Sequence, residues 1–165
     1  MRLSDIYFTG NGSVSIEESY PQHNTYLRNV YYVNISNILS TASSSDGLHL
    51  ADAENVSISN VVSWNNGGRG IFLGGVYQGS VSNAVVYDND DIGIEVAGDA
   101  ADSEKSNSRN ISITGSTVVD NDQNNKRGLS TPAGIYFGST TALVVNGCVG
   151  VGYFVFGSVF EQLIQ

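Results

Sequence analysis

Five side chains in this 165-residue sequence have types that could carry a reaction: His49, Arg69, Tyr136, Asp46 and Asp91. Histidine titrates near neutrality without perturbation, so His49 could act as a general base. A guanidinium can offset the charge of a substrate carboxylate and so acidify the carbon beside it, the role open to Arg69. The Tyr136 hydroxyl could return or accept the proton. A second chemistry is open as well: two strand spacings put Asp46 and Asp91 roughly 9.6 Å apart, near the upper end of the separation used by inverting glycosidases. Phe72, Glu95 and Tyr136 complete the set as substrate contacts, Phe72 as an apolar ring facing solvent on which a ligand could stack. These residues alone do not choose between the two chemistries.

What positions them is a repeat of 23 residues between Asn29 and Val96. Ile35, Ile58 and Val81 fall in one column, Asn37, Asn60 and Asn83 in a second, Leu39, Val62 and Val85 in a third, and Gly47, Gly70 and Gly93 in a fourth. Within each copy apolar and polar residues alternate with a period of two, the pattern of half-buried strands. A copy reads as a strand such as Asn55–Asn60, a short second strand such as Val61–Trp64, a polar turn, and a third strand opened by glycine, Gly70–Leu73. Strands this short at a fixed period predict an all-β solenoid, a parallel β-helix with three strands per coil. Two insertions of nine residues, before Ile111 and before Gly134, keep the register through to Phe160, which gives about five good coils and a degraded one before Asn29. If Leu48 and Leu50 point inward, His49, Phe72, Glu95 and Tyr136 form one outward row, and the turns before it bring Asp46, Arg69 and Asp91 to the same groove. The repeated asparagines read as structural amide ladders.

Composition narrows the partners. A length of 165 residues with 41% apolar content suits one domain over 1–165, and 19 glycines against 2 prolines suit stacked strands with tight corners. A net charge of −9 with only seven Lys and Arg excludes a nucleic-acid partner, which needs clustered cations. The sequence holds no apolar run long enough for a membrane helix, and Met1–Asp5 does not open a secretory leader. No metal ligand set is assigned; Asp99, Asp102 and Glu104 in the first insertion could offer oxygens to calcium, but without the spacing of an EF-hand. Because open solenoid ends expose apolar side chains and unpaired backbone, the chain is expected to be part of a longer solenoid or to have its ends covered by a flanking domain or another subunit.

The Asn-Val-Ser-Ile-Ser-Asn of 55–60 followed by the Asn-Asn-Gly-Gly-Arg-Gly-Ile-Phe-Leu of 65–73 resembles the right-handed parallel β-helix repeat of pectate-lyase-like proteins, above all the β-helical modules of mannuronan C5-epimerases and related polysaccharide lyases. The resemblance covers residues 29–160 and implies a polysaccharide site beside the glycine-opened strands and an extracellular, cell-surface or virion-surface location. The Asp-Pro-His signature of the epimerases is absent. Ser45-Asp46-Gly47 is similar to part of the polygalacturonase motif, whose paired aspartates one coil later are here Gly68-Arg69. The function expected is therefore a carbohydrate-active module, a uronic-acid lyase or epimerase with His49, Arg69 and Tyr136 in the roles given above. Its alternatives are a non-catalytic or glycan-binding solenoid of the tail-spike or adhesin kind, and an inverting hydrolase using Asp46 and Asp91.

Overall fold

The computed structural model describes residues 2–9, 14–15, 23–98, 107–122, 133–138, 140–151, 153–156 and 159–164. These residues form strands, turns and bends, with no helix among them, in two curled sheets of ten and seven strands. Strands pair in parallel throughout, with His49 beside Phe72 in one sheet and Ile35 beside Ile58 in the other. Partners lie one repeat apart, Ile58 facing Val81, until an insertion intervenes, when the separation rises from 23 to 32 as Val81 meets Ile113 and Ile113 meets Val145. Each insertion thus adds nine residues without shifting the register. Asp99, Asp102 and Glu104, and Thr131 and Pro132 of the second insertion, lie outside the described residues.

The core is the column written in the repeat. Ile35, Ile58, Val81 and Ile113 are fully buried, with Leu27, Leu50, Leu73 and Val96 packed in the same cluster from the seven-stranded sheet. Corners are set by backbone conformation. Asn37, Asn60 and Asn83 hold φ between 51° and 54°, and Gly115 and Gly147 take over with φ of 55° and 61°. Asparagine and glycine are the residues that enter this left-handed region at low cost, which explains the column more directly than amide stacking does. Amide stacking is present as well: in this column the exposed Asn60 donates to Asn37 Oδ1 at 3.2 Å, and in a second column the buried Asn66 donates to Asn89 Oδ1 at 2.8 Å and Asn89 to Asn121 Oδ1 at 2.8 Å.

Two expectations about elements change. The first and second strands of the early repeats are continuous, Tyr31–Thr41 and Glu54–Trp64, and separate only later, as Tyr77–Ser82 and Val85–Tyr87. The left-handed residue at Asn37 or Asn60 bends the chain without interrupting its pairing on either side. The region before Asn29 is also better ordered into the pattern than its sequence suggests: Arg2–Thr9 pairs along Tyr31–Thr41, and Thr25–Arg28 precedes Leu48–Ala51 in the seven-stranded sheet.

Candidate active site

The row predicted along the seven-stranded sheet is present in register: His49 pairs with Phe72, Phe72 with Glu95, and Glu95 with Tyr136. Tyr26 precedes His49 in the same row, with ring centroids 4.9 Å apart. Beside the row lies a groove of about 400 Å³ lined by His23, Asp46, His49, Arg69, Asp91 and two turn residues. The turn approaches closely because residue 68 is glycine; a Cβ there would stand 2.5 Å from Asp46 Oδ1.

Asp46 gathers the others. His49 Nδ1 lies 2.7 Å from its Oδ2, Arg69 Nη1 donates to that oxygen at 3.1 Å, and the Arg69 backbone amide donates to Oδ1 at 2.8 Å. Burial pushes the Asp46 carboxyl up, but the His49 hydrogen bond and the Arg69 and His49 charges outweigh burial and hold it at about 2, below its ordinary 3.8. An ionised carboxylate can only accept, so the proton of the neutral His49 ring sits on Nδ1 and Nε2 carries the free lone pair. His23 is the mirror case. Its Nδ1 accepts the Asp46 backbone amide at 3.1 Å, which places the proton on Nε2, and burial lowers its pKa from 6.5 to about 4 against the pull of Asp46. The 3.4 Å approach of His23 Nδ1 to Asp46 Oδ2 is therefore no ion pair at neutral pH.

Several placements differ from the sequence reading. Phe72 is 8% exposed, because the Arg69 guanidinium lies over its ring at 4.1 Å and the His49 ring stands 4.6 Å away, so it is a support and not an open stacking platform. Glu95 is 4% exposed and pairs with Arg69 Nε, which removes it from the surface as a substrate contact. Tyr136 is half-buried and stands three strands from His49, roughly 14 Å by strand spacing, so the fold does not bring it to the bond that His49 would serve. Asp91 shares the groove with Asp46, its Oδ1 accepting the Ile92 amide at 2.8 Å. Both Asp46 oxygens accept from donors and its carboxyl is held ionised, so Asp46 itself is not the protonated acid that inversion needs.

The residue missed was His23. A signal for it existed, since His23, Asp46 and Arg69 stand one 23-residue repeat apart and so stack in one column. His23, Asp46 and His49 bring ligand atoms within 4.8 Å of one another and could hold a metal ion. Two imidazoles and one carboxylate suit a borderline transition metal and not calcium, which prefers oxygens, and any ion would compete with Arg69 Nη1 for Asp46.

No family model matches this sequence, and no curated protein matches it. Among solved structures the chain is similar to the mannuronan C-5 epimerase AlgE4 A-module of Azotobacter vinelandii, at 13% identity and a TM-score of 0.50, over 76% of this chain and 40% of that one. At that identity the likeness speaks for the fold alone, and this chain spans less than half of that module: the two share a parallel, β-helix-like stacking of short strands.

Proposed function

We propose that this chain is a carbohydrate-active β-helix module, a right-handed solenoid of five to six coils, whose groove removes the C5 proton of a uronic-acid polysaccharide, the step common to lyases and epimerases. The observation that carries the reading is the Asp46–His49 pair: an ionised, buried carboxylate fixes the imidazole so that Nε2 is the atom free to take a proton. Arg69, 21% exposed and braced by Asp46, Glu95 and Phe72, keeps part of its guanidinium open to the groove for the sugar carboxylate. Charge neutralised at the carboxylate favours loss of the neighbouring proton. Tyr136 belongs to a sugar further along the row.

Exchange at C5 tests this directly. Alginate and pectate oligomers incubated with the chain in D₂O should either gain deuterium at C5, read by NMR, where solvent reprotonates that carbon, or lose the C5 proton as the C4–O bond breaks, read as ultraviolet absorbance of the unsaturated uronate, and His49→Ala should slow whichever change occurs about 100-fold or more. A rate that is equal with His49→Ala, or the absence of both C5 exchange and unsaturated uronate with every uronate oligomer, would overturn the proposal.

A further inference from the structure

A second column of the fold carries exposed aromatic rings that the groove chemistry does not use. Tyr31, Glu54, Tyr77 and Arg109 follow one another in register across the ten-stranded sheet. Tyr31 is 54% and Tyr77 40% exposed, and both face a concavity of about 330 Å³ that Asp52, Glu54 and Arg109 also line. Interior packing explains neither ring. The two stand two strands apart, roughly 9.6 Å, with a carboxylate between them. Arg109 lies toward the Tyr77 ring with Cζ 6.0 Å from its centroid, which steadies that ring and leaves guanidinium donors beside the concavity.

Charge indicates what would bind. Arg28 donates to Asp52 at 3.1 Å, so the carboxylates Asp52 and Glu54 are matched by the cations Arg28 and Arg109 in a chain whose net charge is −9. A balanced patch on an acidic protein gives a polyanion no attraction, whereas a neutral ligand rich in hydroxyls meets both acceptors and donors. Pyranose rings have apolar C–H faces that stack on tyrosine, and an extended chain of them advances per ring by nearly the spacing of stacked strands. We propose that this corner is a binding subsite for a neutral, extended polysaccharide running along the stacking direction, with alternate sugars on Tyr31 and Tyr77 and hydroxyls on Glu54 and Arg109. It shares no residue with the Asp46 groove and stands whether or not that groove is catalytic.

Electrophoresis through native gels containing a soluble neutral β-glucan, glucomannan or xylan provides the test, with alginate gels as the charged comparison. At least one neutral polymer should retard the chain. The double variant Tyr31→Ala/Tyr77→Ala should raise the apparent Kd about tenfold or more, Tyr31→Phe/Tyr77→Phe should retain most of the retardation, and His49→Ala should leave it unchanged. Arg109→Gln, which keeps both rings, should weaken retardation while preserving the melting temperature. Unretarded migration in every neutral polymer, retardation undiminished in the double alanine variant, or retardation by alginate alone would overturn the assignment.

Discussion

Asp46 sets opposite roles for the two histidines beside it. Its carboxylate accepts a hydrogen bond from Nδ1–H of His49, while its backbone amide donates to Nδ1 of His23, so one ring keeps its lone pair on Nε2 and the other keeps its N–H there. The two rings also differ in surroundings: His23 is 4% exposed, and its neutral form is the one the fold accommodates. Because its folded pKa of about 4 lies below the ordinary 6.5, the unfolded chain binds the extra proton first. Stability from this site is therefore complete above pH 6.5 and declines as pH falls from 6.5 toward 4. A further loss follows as pH drops below 3.8 through about 2, where Asp46 is protonated. Melting temperatures across that range should show the decline, and His23→Asn, whose Oδ1 can accept the same amide, should flatten the part between pH 6.5 and 4. A slope between those values that is unchanged in the variant would show that His23 does not set it.

Strands and turns convert these residues into columns. The glycine before each short strand is required by close approach of the next repeat: a Cβ at Gly70 would sit 2.7 Å from the Gly93 carbonyl and 2.2 Å from Val86 Cγ1. Neither neighbour can retreat, since the Gly93 carbonyl accepts the Ile71 amide and Val86 is fully buried. Gly70→Ala should therefore destabilise the fold by about 1–3 kcal/mol in chemical denaturation, where an unhindered glycine-to-alanine change would be mildly stabilising. A midpoint equal to or above that of the parent would show that the repeats can separate at this corner. The same closeness holds the turn of residues 67–69 against Asp46 and so links the corner to the groove.

For the whole molecule, stability is a sum over stacked repeats and their shared column. Ile58 is fully buried between Ile35 and Val81, with its neighbours fixed in register on both sides, so the space left by Ile58→Ala cannot readily collapse. The cost should be about 2–5 kcal/mol, measured as a shift in denaturant midpoint, and a loss under 1 kcal/mol would mean that the column repacks around the gap. Spread along this frame are two surfaces of different chemistry, an Asp46 groove built from a buried carboxylate network and a tyrosine corner built from exposed rings.

Much of this was legible in the chain. The Ile35–Ile58–Val81 spacing determined the parallel pairing, the insertion lengths and the row from His49 to Tyr136, because inward apolar residues admit one register. The position of Asp46, His49 and Arg69 around one groove also followed from that period. What the sequence by itself could not decide was how the side chains of the row and the turn meet. Alternation assigns a residue to a face but not its exposure, and only the tertiary structure folds Arg69 over Phe72 and onto Asp46 and Glu95, burying the carboxylates and the ring that periodicity had placed in solvent. His23, in a stretch whose pattern is poor, enters the site for the same reason: its position one repeat before Asp46 acquires meaning only when the strands stack.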